Sequence, residues 1–215
     1  MVGLLAEHAD VFWSGFKVTT RLALYSFIIA LVIGVIIASF RVSPIPPLQR
    51  FAAGYVATFR NSPLLVLFFI FYFGFTKLGI QFNEFLTAVI VLSAYTGAYL
   101  GEAVRSGINA IDVGQAEAAR AVGLGFVQLL SLIIIPQALR TVVAPISNLF
   151  IANAKNTAIA VSISVRELTF VARQVGSSEA DYVSAFLGAA LLYMVSLLFA
   201  GAIFGWIEKR VAIRR

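Results

Sequence analysis

Long uncharged runs separated by short polar stretches set the character of this chain. Leu22–Phe40, Phe85–Gly101, Ala121–Leu139 and Tyr182–Ile207 hold no acidic or basic residue. Each approaches or exceeds the roughly 20 apolar residues that cross a hydrocarbon core of about 30 Å. A further run, Asn61–Thr76, is shorter, but it continues backwards through the apolar Phe51–Phe59 with only Arg60 between them. The pattern predicts an all-α membrane protein, a single domain over 1–215 with five spans at about 17–40, 52–76, 84–106, 140–163 and 182–207. A long loop at about 107–139 separates the third and fourth spans.

The stretch Ala121–Asp181 is the hardest to divide. Pro136 and Pro145 interrupt helical periodicity, and Arg140 and Lys155 interrupt the apolar run. The spacing predicts a cytoplasmic helix near Ile111–Leu124, a re-entry near Phe126–Leu139, the fourth span from Arg140 to Ile163, and a short external helix over Val165–Gln174. The first sixteen residues lack a basic n-region and carry Glu7 and Asp10, which argues against a cleaved signal and for a mature chain beginning near Met1. Leu4, Leu5, Val11, Phe12, Trp13 and Phe16 offer an apolar face to the interface, though a frayed terminus fits as well.

Charge sets the orientation. Arg41 and Arg50 bracket the turn-rich Ser43–Pro47, and Lys209, Arg210, Arg214 and Arg215 crowd the tail, so both belong on the cytoplasmic side. An odd number of spans then places the N-terminus outside, the loop from Arg105 to Arg120 inside and the C-terminus inside, with Lys77 and Glu84 outside.

Composition agrees: 60% of residues are hydrophobic and 12% charged, which excludes an ordinary soluble domain. The net charge of +6 gathers at membrane edges, where orientation and anionic lipid account for it without nucleic acid. With no cysteine there is neither a disulfide framework nor a thiolate metal site. The single histidine, His8, has no ligand cluster around it, and no phosphate-cradling G-x-x-x-x-G-K-[ST] occurs, so the chain is not expected to bind metal, cofactor or ATP by itself.

Ionisable residues inside the spans are the better lead, because a charge in hydrocarbon is costly unless it meets a partner, water or ligand. Arg60 lies within the second span. Glu102 and Arg105, three apart, close the third and are predicted to form a structural ion pair on one helical face. Lys155, beside Asn156 and Thr157, offers a cation, an amide and a hydroxyl to a carboxylate solute. Two pairs at small-xxx-small spacing, Gly97 with Gly101 and Gly201 with Gly205, suit close helix packing within one subunit.

Four ordered segments resemble one known family. RNSPLLVLFFIFYFG from Arg60, AYTGAYLGEAVRSGINAIDVGQAEAARAVGLG from Ala94, PQALR from Pro136 and AKNTAIAVSISVREL from Ala154 are similar to elements of the permease subunits of polar amino acid ABC importers. That group carries histidine, glutamine, glutamate and arginine. The resemblance implies a type I core of five spans with a cytoplasmic EAA coupling helix in the loop at 107–139. It assigns Glu117, Ala118, Ala119, Gly123 and Gly125 to ATPase coupling, while the chemistry of Arg60, Asn61, Ser62, Lys155, Asn156 and Thr157 makes them the candidates for the substrate path.

The implied partners are two cytoplasmic ATPases that hold ATP and Mg, a second permease subunit, identical or related, and an external solute-binding protein. The implied location is a bacterial cytoplasmic membrane. Asn61 and Ser62 replace the family's common glycine and threonine, and Asn156 replaces an aspartate. With RVSP at Arg41 and GLGF at Gly123, these departures look most like glutamate-uptake permeases of high-GC Gram-positive bacteria. An ion-coupled secondary carrier and a non-transporting scaffold are the alternatives, and neither needs a docking helix of this composition.

Overall fold

The structure is a computed structural model that describes residues 2–211, and among them every regular element is helical. Met1 and the tail residues Arg214 and Arg215 lie outside the described residues. A short α1 (Val2–Glu7) precedes α2 (Ala9–Val42), which continues unbroken for 34 residues, about 50 Å at 1.5 Å per residue. It stops at Ser43, which precedes Pro44 and is extended. Proline at the first helical position opens α3 (Pro46–Asn61), and Ser62, before Pro63, is again extended and closes it.

Beyond that break come α4 (Leu64–Phe69), a π-helical turn Ile70–Gly74 and α5 (Phe75–Lys77). The two arms meet at 106°, so the segment that holds the expected span at about 52–76 is sharply bent. The Ser62-Pro63 step accounts for the bend. Asn83 accepts a bond from the Leu86 N–H at 2.7 Å and caps α6 (Glu84–Asn109). Asp112 caps α7 (Val113–Ala121) in the same manner.

The next arm comprises α8 (Phe126–Gln128), a π-helical Leu129–Ile134 and α9 (Ile135–Thr141). It bends by 68° into α10 (Val143–Asn156) and a 3-10 segment Thr157–Ile163. The fourth span expected over 140–163 is therefore a 14-residue α-helix with a tighter end, because the chain breaks at Val142 and tightens after Asn156. Glu167 caps α11 (Leu168–Ser178), and α12 (Tyr182–Val211) completes the chain. Three helices, α2, α6 and α12, are long and apolar enough to cross a membrane, and the two bent pairs bring the total to as many as five.

The centre of the fold is the contact between α2 and α6. Ser93 donates to the Ser26 carbonyl, and Gly101 approaches Gly34, so the two helices run parallel with a constant offset. Parallel neighbours require the chain to return between them, which the bent α3–α5 segment does. A methyl group on Gly34 would stand 2.6 Å from Leu100 Cβ and 3.0 Å from its carbonyl carbon. Gly97 and Gly101 meet Ile33 and Ile37 as closely, consistent with packing inside one subunit. Gly201 and Gly205 do not pack this way: nothing lies within 4 Å of where their Cβ atoms would be. They occur on α12, whose apolar window is only 11% buried against 61% for α6, so its face awaits lipid or another subunit.

A buried polar network pins α10 to this pair. Asn153 donates to the Ala23 carbonyl and to Ser26 Oγ, and accepts from Thr96 Oγ1 at 2.8 Å. Along α2, Gly15 touches Leu168 and Val171 of α11, whereas Val42 packs against the cluster of Ala119, Leu129 and Ile134. The α11 end and the α7 end are thus separated by about 40 Å of helix.

The glycine contacts generate a stability test. Gly34→Val meets backbone and is expected to cost about 1–3 kcal/mol, read as a lowered unfolding temperature in detergent. Gly201→Ala meets open space and is expected to leave that temperature unchanged. Equal behaviour of the two variants contradicts the packing described.

Candidate functional site

Glu102, near the α7 end of α6, gathers three arginines. Arg105 Nη2 lies 3.0 Å from Oε2 and Nε 3.2 Å from Oε1, a forked contact one helical turn away. Arg41, from the last turn of α2, reaches Oε1 at 3.5 Å, and Arg60, at the end of α3, reaches Oε2 at 4.0 Å. The expected pair of Glu102 and Arg105 is therefore part of a four-residue knot carrying two surplus positive charges. The Arg60 guanidinium also lies 5.2 Å from the centre of the Tyr99 ring, a cation–π contact. Sequence reasoning assigned Arg41 only to orientation and Arg60 only to the path. The knot joins residues 61 apart in sequence, and only the parallel packing of α2 on α6 brings them together.

The remaining path residues divide. Asn61 Nδ2 donates to the Ala57 carbonyl and Ser62 Oγ to the Thr58 carbonyl, so both side chains turn back on α3 and satisfy its last turn. Lys155 is exposed and has no ion pair among the described residues, and Asn156 is half-buried. Thr157 is fully buried, donates to the Ala154 carbonyl at 2.7 Å and lies 3.4 Å from the Tyr193 hydroxyl. It holds the 3-10 segment to α12 and is not available to a solute. No hydrogen bond or ion pair links Lys155 to the Glu102 knot.

A second carboxylate was missed by sequence. Glu167, fully buried, accepts from the Thr169 and Phe170 N–H groups and from the Tyr193 hydroxyl at 2.7 Å. Burial holds its carboxyl above the usual carboxylate range, against the three hydrogen bonds that favour the charged form. Its place immediately before the amphipathic Leu168–Ser178 is the N-cap signal that identifies it, since a capping carboxylate satisfies orphan N–H groups.

At the opposite end, α7 presents Glu117 and Ala118 outward, while Ala119 faces the cluster of Leu129, Leu130 and Ile134. Of the two alanines expected to admit a partner, only Ala118 is placed to do so. Ala119 instead seats the helix on its own chain. Gly123 has φ +85°, a left-handed conformation that turns the chain after α7. Gly125 precedes the next helix and donates its N–H to Gln128 Oε1 at 3.1 Å. A cavity of about 390 Å³ lies between α7 and the following arm, lined in part by Val42, Ala116, Arg120 and Phe126.

A short outward helix with a glycine turn, at one end of a parallel-paired helical bundle, has a counterpart among known proteins. Residues 30–213 match the family described as the binding-protein-dependent transport system inner membrane component. The chain belongs to this family.

Relatives agree with that assignment. The permease is 39% identical over 190 residues to the "Probable glutamine ABC transporter permease protein GlnP" of Bacillus subtilis (strain 168), covering 87% of each chain. It is 35% identical to the glutamate transport system permease protein GluC of Corynebacterium efficiens, over the full length of both. It is 33% identical to the arginine transport system permease protein ArtQ of Bacillus subtilis (strain 168), covering 92% of this chain and 90% of that one. A crystal structure of an amino acid ABC transporter with histidines superposes with a TM-score of 0.86 at 30% identity, covering 96% of each chain. The MetNI methionine ABC transporter, inward facing, shares the fold with a TM-score of 0.73 at 20% identity.

The protein is thus an amino acid ABC permease, a membrane component without catalytic activity of its own, and its family implies ATPase and permease partners. These relatives lend no support to a secondary carrier. The geometry of α7 generates a coupling test. In the assembled transporter, Glu117→Lys with Gly123→Asp reverses an outward charge and strains a left-handed turn by about 1 kcal/mol or more. ATP-driven uptake is expected to fall at least about tenfold, a loss of ~1.4 kcal/mol in coupling, while the membrane helices remain folded. Normal assembly and uptake would exclude α7 from the coupling role that the resemblance implies.

Proposed function

We propose that this permease forms half of the membrane path of an ATP-driven importer for an acidic amino acid, glutamate. The observation that carries the reading is charge. One carboxylate, Glu102, faces three arginines, and Lys155 adds a cation on α10 with no ion pair among the described residues. A positive surplus in a low-dielectric wall attracts an anionic solute and repels a cationic one. Asn156 supports it, since an amide there does not repel a carboxylate as an aspartate would. The full-length similarity to the glutamate permease GluC points the same way, while the relative named for glutamine favours a neutral solute as the competing reading.

In this reading the α7 end faces the cytoplasm and the α11 end faces outward, with the N-terminus outside and the C-terminus inside a bacterial cytoplasmic membrane. Two ATPases bind ATP and Mg and grip the coupling helices of this chain and of a second permease, a copy or a sister. Their closure pulls on α7, which Asp112 caps and Ala119 seats on the arm that follows. The two permease bundles then rock between inward- and outward-facing states while an external binding protein delivers solute.

Proteoliposomes holding the permease with its partner ATPases, second permease and binding protein test the proposal. Labelled glutamate is expected to accumulate only with all partners and enclosed ATP, with glutamine competing weakly. Asn156→Asp is expected to cut glutamate uptake about tenfold at low concentration, equivalent to ~1.4 kcal/mol. Uptake by the permease alone on an ion gradient, or unchanged glutamate transport in Asn156→Asp, would contradict the reading.

A further inference from the structure

The α11 end carries a charged strip that neither the path nor the coupling helix uses. Arg166 and Arg173 flank Phe170, with guanidinium carbons 5.8 Å and 5.3 Å from its ring centre. Phe170 and Arg173, three apart, share the side of α11 opposite the buried Leu168, Val171 and Val175, and Arg166 reaches the same ring from the extended stretch that precedes the helix. Among the described residues, no carboxylate lies within 4.0 Å of either guanidinium.

The nearby acids are otherwise placed. Glu167 turns inward, its oxygens taken by two N–H groups and the Tyr193 hydroxyl. Glu179, at the far end of α11, pairs with His8 at 3.2 Å. Glu84 lines the same hollow as Arg166 without reaching it. Two cavities, of about 580 and 600 Å³, open on either side of the strip, and both are lined by Arg166, Phe170 and Arg173. The strip is therefore a basic ridge between two hollows.

We infer that Arg166, Phe170 and Arg173 form the docking ridge for acidic side chains on the solute-binding protein. The inference rests on the orientation and importer reading above. Arginine presents a planar fork that grips a carboxylate through two parallel bonds, and stacking on one ring holds the two forks at a fixed spacing. Fixed forks suit two carboxylates on a folded surface, and the hollows admit the loops that carry them. Mobile anionic lipid headgroups need neither a fixed spacing nor a hollow. Charge of this kind at a rim governs encounter and register more than the final strength of the complex.

The test uses the complete transporter in proteoliposomes of neutral lipid, and in a second series with increasing anionic lipid, with ATPase activity followed as the binding protein is titrated. Arg166→Glu with Arg173→Glu is expected to raise the concentration of binding protein for half-maximal stimulation about tenfold or more at ~0.05 M salt, and less at ~0.3 M, where screening removes the attraction. Activity without binding protein is expected to match the wild type. Arg166→Lys with Arg173→Lys keeps the charge but loses the fork, and is expected to fall between. Gln81→Ala, an exposed position outside both hollows, is expected to change nothing.

A half-maximal concentration that does not move in the charge-reversed transporter overturns the inference and leaves the importer reading standing. An effect that appears without binding protein and scales with anionic lipid assigns the ridge to the bilayer and overturns it also. Stimulation of the wild type by no binding protein would overturn both.

Discussion

One carboxylate, shared by three arginines, is the constraint on which the α7 half of this permease depends. Charges inside a bilayer persist only where other charges or dipoles replace water. Arg41 ends the longest helix, Arg60 stands at the sharpest bend and Arg105 closes the next crossing, yet all converge on Glu102 within 4.0 Å. The knot defines where α2, α3 and α6 meet, and it allows the second crossing to break by 106° without an orphaned charge. The remaining polar groups of the break are met locally, by Asn61 and Ser62 on their own helix and by Tyr99 on the Arg60 carbonyl.

Away from the knot the fold is held by close approach and by a few buried polar contacts. Glycines on α2 and α6 let backbones touch, which suits a medium where packing and not water expulsion drives helices together. Asn153 then fixes α10, and Tyr193 with Glu167 fixes α11 and the 3-10 segment to α12. The two ends of the bundle are built differently. The α7 end exposes a short helix whose inner alanine anchors it to its own chain. The α11 end exposes a ridge of arginines braced on an aromatic ring.

Much of this was legible in the sequence, and the exceptions have physical causes. Uncharged runs of membrane length located α2, α6 and α12, because each is one uninterrupted helix. The second and fourth crossings are legible as apolar spans but not as bent ones, since hydropathy does not register direction. The Ser62-Pro63 step and the break at Val142 turn the chain without changing its polarity. The pairing of Glu102 with Arg105 followed from helical spacing, whereas Arg41 and Arg60 join through packing that no local pattern encodes. Thr157 and Ala119 were placed on functional surfaces for their chemistry, and both face inward, because facing is set by the helix register that neighbours impose. Gly201 and Gly205 show the converse: the same spacing that packs α6 against α2 is left open on α12.

A double-mutant cycle on Glu102 and Arg41 tests the central claim most directly, with Glu102→Gln, Arg41→Gln and the pair compared by unfolding temperature in the assembled transporter. The account predicts that the two substitutions are not additive, with an interaction of about 1–3 kcal/mol, and that removing Glu102 costs more than removing either Arg41 or Arg60, because it leaves three unpaired cations. Additive losses within about 0.5 kcal/mol would show that Glu102 does not tie α2 to α6, and the α7 half would need another organising contact.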